Sequence, residues 1–207
     1  MAEQETPSVE GNAASAGGAE APAGVARAFA RTKWVVLLAV VLVVVAADQL
    51  TKHWAHEELQ RRPGGRITVI EGYAAFAYIR NPGAAWGFLA RAKESFRQPF
   101  FLSISVLAML FILYIHWRLE PGQLLLLVAL SLVMGGAIGN FIDRLRFNFV
   151  VDFIKVHWRH RYEWPTFNVA DIAITVGVIL LFAEMLLGPY LRRRRLRAAA
   201  AADPGEG

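Results

Sequence analysis

The chain has 207 residues, 56% of them hydrophobic and only 19% charged, with no cysteine and a formal charge of +5. A mean hydropathy of +0.37 is too high for an ordinary soluble domain and reads as a polytopic membrane protein. Without cysteine, disulfides, thiolate nucleophiles and Cys-based metal clusters are excluded, which leaves carboxylates, hydroxyls and histidines for any chemistry.

Residues 1 to about 30 are rich in Ala, Gly, Glu and Pro with no apolar period. Such a composition cannot bury enough surface to offset ordering, so a disordered tail is expected. The first apolar segment runs from Trp34 to about Ala55. Lys33, the apolar run and Val45-Ala46-Ala47 imitate a cleavable secretory signal, but the three spans that follow and the polar residues just beyond the cut favour an uncleaved helix. Residues 56 to 99 form a long connection in which Ile67-Thr68-Val69-Ile70 and Tyr73 to Ile79 read as a short β pair joined near Glu71-Gly72. Asn81-Pro82-Gly83 is first a turn, whose amides and Asn side chain can also hold a peptide backbone.

The second span, Phe100 to Trp117, and the third, Leu124 to about Leu145, are joined by a tight connection around Glu120-Pro121-Gly122. Residues 146 to 166 then emerge on the same face as 56 to 99, with Phe147 to Trp158 as a further strand. The fourth span covers Phe167 to Leu187, and residues 192 to 207 make a basic, then disordered, tail. Each span is near the ~20 residues that cross a ~30 Å hydrocarbon core. The expected fold is a mainly α membrane protein: four transmembrane helices over residues 31 to 191, with a small β-sheet at the interface and Trp and Tyr at headgroup level.

Of the 22 Lys and Arg, nine lie on the face with both termini and thirteen on the other. The raw count opposes the positive-inside rule. The dense Arg192 to Arg195 run abuts a span, however, whereas the other charge is spread through a long loop, so both termini are placed in the cytoplasm. The same run marks a membrane flank rather than a nucleic-acid site.

Polar residues inside the spans are the candidates for function. At 1.5 Å per residue, Asp48 lies ~21 Å along the first span, Asn140 and Asp143 lie ~24 and ~28 Å along the third, and Asp171 lies ~6 Å into the returning fourth. Chain topology thus brings three carboxylates to one membrane face, whichever way the bundle is oriented. Asn140 with Asp143, and Asn168 with Asp171, are i,i+3 pairs. Asp48 and Lys52, at i,i+4, fit either an interfacial salt bridge or a functional pair. Asp143, before Arg144 at a helix end, suits an ion-pair or capping role as well as catalysis. Asp152, in Val150-Val151-Asp152-Phe153-Ile154, is either a solvated acid on a strand edge or a fourth member of the layer.

Gly135 and Gly139 form a Gly-x-x-x-Gly pair for close helix packing. Glu184 reads as a solvated or Arg-paired acid. His157 and His160 lack a His-Glu-x-x-His helix or supporting ligands, so no metal is expected. Ser103, Ser105 and Ser131 lack a Gly-x-Ser-x-Gly context, which argues against a serine nucleophile. On residues alone, a proton-relaying transporter would spread its acids through the membrane depth, and a scaffold would not need them. An acid layer at one face beside a structured outer segment fits hydrolysis by paired carboxylates better, because two neighbouring carboxylates cannot both ionise cheaply.

Five motifs occur in order between roughly Trp34 and Tyr190: Asp48-Gln49-Leu50-Thr51-Lys52, Asn81-Pro82-Gly83-Ala84-Ala85-Trp86-Gly87, Gly139-Asn140-Phe141-Ile142-Asp143-Arg144, Val151-Asp152-Phe153 and Phe167-Asn168-Val169-Ala170-Asp171. In this series the chain resembles the bacterial lipoprotein signal peptidases (signal peptidase II). The resemblance implies an aspartyl endopeptidase of the bacterial cytoplasmic membrane, active on its extracytoplasmic side. It would cut the signal peptide from diacylglyceryl-modified prolipoproteins just before the lipidated cysteine, without a cofactor. It further implies a catalytic dyad at Asp152 and Asp171, with Asp48, Lys52, Asn81, Asn140, Asp143, Arg144 and Asn168 supporting the dyad or holding substrate. Sequence geometry alone does not decide between Asp152 and Asp143 as partner of Asp171.

Overall fold

A computed structural model describes residues 23–83, 88–159 and 161–202. Among them, four helices are long and apolar enough to cross a membrane. They are α1 (Ala23–Trp54), α2 (Glu94–Trp117), α3 (Leu124–Phe147) and α4 (Val169–Ala202). Three helices exceed the apolar runs: α1 and α2 begin several residues earlier, and α4 continues through the arginine run. Ala, Leu and Arg all favour helix, so these polar or small-residue extensions carry the helical period past the hydrocarbon boundary. Residues 1–22 and 203–207, which belong to the two expected tails, lie outside the described residues.

Helix α3 is the centre of the bundle, with half of its membrane stretch buried against 17% for each of the other three. Small residues permit this. A Cβ on Gly135 would lie 2.8 Å from the Val44 Cβ on α1, and one on Gly136 would collide with the Ala170 carbonyl on α4. A Cβ on Gly177 of α4 would lie 2.8 Å from the Ala129 carbonyl on α3. In hydrocarbon, such close backbone approach replaces the hydrophobic drive that assembles soluble bundles, and the packing role expected of Gly135 and Gly139 is what the structure shows.

At the end carrying the α2–α3 connection, Leu37, Ile112, Leu119, Leu127, Leu130 and Met134 form a buried apolar cluster. Here Lys33 Nζ donates to the carbonyls of Trp117 at 2.7 Å and Leu119 at 3.2 Å, satisfying acceptors left open at the end of α2.

At the opposite end, α1 passes into a single π-helical turn, Ala55–Leu59, and then a four-stranded antiparallel sheet in the order β1 (Arg66–Ile70), β2 (Ala74–Asn81), β3 (Val150–Trp158), β4 (Tyr162–Glu163). Ala55, Leu59 and Phe153 bury themselves between helix and sheet with Ile67, Phe76 and Tyr78 around them. Trp54 meets the rings of Phe76 and Phe153 edge-on. The outer segment is therefore clamped to α1, and through it to the bundle. Helix α3 stops at Asn148, whose left-handed conformation (φ 63) returns its N–H to the Arg144 carbonyl at 3.1 Å. Asparagine tolerates that conformation, and β3 starts two residues later.

Candidate active site

The start of α4 is built by a reciprocal cap. Asn168 Oδ1 accepts the Asp171 N–H at 2.9 Å, while Asp171 Oδ2 accepts the Asn168 N–H at 3.3 Å. This is a capping box, in which the N-cap and the third helical residue fill each other's open donors. The Ala170 N–H, another open donor, goes to Asp48 Oδ1 on α1 at 2.9 Å. One carboxylate thus fixes the helix mouth from within and another from a neighbouring helix.

Asp48 and Asp143 flank Lys52. Its Nζ lies 2.8 Å from Asp48 Oδ2, 3.0 Å from Asp143 Oδ2 and 3.0 Å from Asn140 Oδ1. Gln49 Nε2 ties the same two acids from the other side, at 3.2 Å from Asp48 Oδ2 and 3.0 Å from Asp143 Oδ1. Asp143 Oδ2 also accepts the Val151 N–H at 2.9 Å. All three charged groups are at most 3% exposed. The Asp48–Lys52 salt bridge that their spacing allows is present, although the ammonium turns inward to a second acid instead of snorkelling outward. Asp143 has both oxygens engaged, in line with the ion-pair role.

Asp152 and Asp171 are held differently. Asp152 Oδ1 accepts from Asn168 Nδ2 at 2.8 Å and Oδ2 from Asn81 Nδ2 at 2.9 Å; Asp171 Oδ1 accepts from Asn140 Nδ2 at 2.8 Å. Among the described residues neither acid is in an ion pair. The four carboxylates therefore divide into two that share a lysine and two that are solvated by neutral amides. Asp152, 2% exposed, is not a solvated strand-edge acid. It pairs across the sheet with Ile79, and Asn81, two residues on and so on the same side of β2, reaches it. Burial first, and then the Asp171 charge, push the Asp152 carboxyl up to about 7, against the opposing hydrogen bonds from Asn81 and Asn168 and the Lys52 charge.

Arg144 Nη2 points to the Gly83 carbonyl and Nη1 to that of Asn140, both at 3.4 Å, with the guanidinium 5.0 Å from the Phe101 ring centre. Asn81 Oδ1 accepts the Gly83 N–H at 3.1 Å, so Asn81 closes the turn and holds Asp152 at once. Ala84 to Gly87 of that motif lie outside the described residues. Every site residue expected from sequence, apart from Arg144's looser contact, is thus joined in one hydrogen-bonded network. Sequence reasoning missed Gln49 and Gln98, the latter donating to the Arg144 carbonyl. It also missed the capping box, whose Asn-x-x-Asp signal before an apolar run was available. His157 accepts from Arg66 Nη2 at 2.8 Å, and His160 lies outside the described residues.

A cleft of about 500 Å³ opens beside Asp171 and Asn81 and runs along Ile172, Thr175 and Val176 of α4 under Trp164 and Phe167. Its walls are mostly apolar, and one end is acidic.

These relations define a multi-pass membrane protein with four hydrogen-bonded aspartates gathered at one end of its helical bundle. The family model described as signal peptidase (SPase) II matches residues 40–187. A lipoprotein signal peptidase of Syntrophotalea carbinolica is 45% identical over 150 residues, covering 72% of this chain and 90% of the relative. One from an Anaeromyxobacter species is 40% identical over 199 residues, covering 83% and 92%. A solved bacterial membrane enzyme, determined by the in meso method at 2.3 Å, superposes with a TM-score of 0.63 at 34% identity, covering 72% of this chain and 87% of that one. The chain belongs to the signal peptidase II family of aspartic peptidases.

Proposed function

We propose that this protein removes the signal peptide from diacylglyceryl-modified prolipoproteins, cleaving just before the lipidated cysteine, with Asp152 and Asp171 as the catalytic pair. The observation that carries this reading is the division of the four acids. Lys52 compensates Asp48 and Asp143, while Asp152 and Asp171 accept hydrogen bonds from amide donors only, and an apolar cleft is lined by Asp171 and by Asn81, the residue that holds Asp152. Lys52 and Arg144 act on this pair through space, but neither forms a salt bridge with it, which leaves the carboxyl oxygens of Asp152 and Asp171 to neutral donors and to substrate.

Asp152, with its raised value, carries the shared proton and Asp171 takes a proton from water. The water oxygen attacks the scissile carbonyl carbon as Asp152 protonates the carbonyl oxygen. Collapse of the tetrahedral intermediate then breaks the C–N bond: the amine leaves with the proton that Asp171 had taken, and one hydroxyl proton of the intermediate returns to Asp152 as the new carboxyl group forms. Asn140 and Asn168, anchored by Lys52 and by the cap, hold the carboxyl oxygens in place without adding charge. No cofactor enters this scheme. The apolar cleft suits a substrate that arrives within the membrane, its signal helix and acyl chains remaining in lipid.

The dense arginine run after the fourth span supports placing both termini in the cytoplasm, which sets the acidic centre at the extracytoplasmic edge of a bacterial cytoplasmic membrane. The test is cleavage of a diacylglyceryl-modified precursor by purified protein in detergent. Asp152→Asn and Asp171→Asn should each abolish cleavage while the protein still elutes as a folded species. Near-normal turnover by Asp152→Asn would move the partnership to Asp143, and cleavage independent of lipid modification would refute the substrate class.

A further inference from the structure

Where α3 hands over to β3, two arginines lie on a pair of stacked rings. Phe147 and Phe149 have ring centres 5.7 Å apart and planes inclined by 24°. The Arg146 guanidinium sits 5.2 Å from the Phe147 ring centre, and the Arg80 guanidinium 5.3 Å from that of Phe149. Both arginines are exposed, and among the described residues neither is in an ion pair with a carboxylate. Arg61 and Arg62, by contrast, are paired with Glu57 and Glu58 on the same outer segment.

Depth identifies the surroundings. Arg146 lies 22 residues after Leu124, ~33 Å along α3, just beyond a ~30 Å hydrocarbon core. Leu145, next to it, is 58% exposed, an apolar side chain suited to the lipid boundary. The phenyl rings occupy the boundary layer and the guanidiniums stand in the headgroup layer. Each guanidinium is exposed beside a ring, and the planar N–H fork of arginine is the group that binds a phosphate oxygen pair.

We propose that Arg80 and Arg146, seated on the Phe147–Phe149 pair, form a binding site for the phosphate of an anionic phospholipid in the leaflet that borders the sheet. The site adjoins the acidic centre through the chain. Arg80 precedes Asn81, and Arg80 pairs across the sheet with Val151, the residue before Asp152. A lipid held here would fix the end of the β2–β3 pair that carries Asn81 and Asp152.

The experiment titrates the full chain in detergent with phosphatidylglycerol, or with phosphatidylcholine of the same acyl chains, and reads bound lipid by native mass spectrometry. Phosphatidylglycerol should bind more tightly, and Arg80→Gln and Arg146→Gln should each weaken it about fivefold. The double Arg→Lys variant, which keeps the charge but not the flat fork, should weaken it severalfold. The proposal fails if the double Gln variant binds as wild type does, if the two lipids bind equally, or if R61Q/R62Q loses as much. Displacement by millimolar inorganic phosphate would also overturn it, by showing a free-anion site instead of a lipid site.

Discussion

Asp48 accepts the backbone N–H of Ala170 at 2.9 Å, and Asp143 accepts that of Val151 at the same distance. Each of these buried acids therefore grips the residue immediately before one member of the Asp152–Asp171 pair. The lysine-bound acids act as clamps on backbone, setting where α4 begins and where β3 passes.

Asp48→Ala removes a clamp and leaves Lys52 with one acid in place of two. Breaking a buried charge pair costs about 3–5 kcal/mol, so the variant should unfold at markedly lower temperature in detergent and lose activity with its fold. A melting temperature equal to that of wild type would show that the Asp48–Lys52 contact is not what holds α1 to α4.

Asn168 does two things that can be separated. Asn168→Ser keeps a good N-cap acceptor, so stability should stay close to wild type, but it loses the amide that reaches Asp152. We expect turnover to fall roughly 10- to 100-fold, the equivalent of losing one hydrogen bond to a charged group. Asn168→Ala should match that loss and cost about a further 1 kcal/mol in thermal unfolding. Full activity in the serine variant would remove Asn168 from the chemistry.

The pH dependence has a definite sign. The Asp152 carboxyl is held up to about 7, so cleavage that needs its proton should be sustained below that value and decline about tenfold per unit above it. For stability, a raised folded-state value means the contribution is complete below the unfolded carboxylate range near ~4 and is lost as pH climbs to about 7. Asp152→Asn should thus melt above wild type at pH 8 and close to it at pH 4. A flat rate between pH 6 and 9 would contradict the assignment of the proton to Asp152.

Gly139→Ala tests the fit of α1 against α3. The new Cβ would lie 2.6 Å from Asp48 Oδ2, an oxygen fixed by Lys52 and Gln49. Neither side can yield cheaply, and about 1–3 kcal/mol of destabilisation is expected, as for other overpacked sites. Unaltered melting and turnover would mean that the helices separate at little cost.

The four spans and the meeting of Asp48, Asp143 and Asp171 at one face were readable because hydropathy and helix rise are one-dimensional quantities. Asp152 was harder. Its strand could be read, but whether its side chain faced the bundle or water depended on β2–β3 pairing, which joins residues some seventy positions apart. The inward turn of Lys52 was hidden for a related reason, since its second acid lies on another helix. Gln49 and Gln98 carry no signal of their own in a single sequence. The cap at Asn168 and Asp171 was legible, but the shared-face reading of an i,i+3 pair stood in its place.

The acidic centre is scattered along the chain, and this constrains biosynthesis. Asp48 and Lys52 lie one turn apart on α1, so the first helix can enter the bilayer with its charges already matched. Asp143 finds Lys52 only once α1 is in place, and the donors on Asn168 arrive with the last span. A nascent chain that has not yet inserted α4 therefore lacks Asn168 and Asp171, and with them the donor that reaches Asp152 and the fourth of the clustered acids.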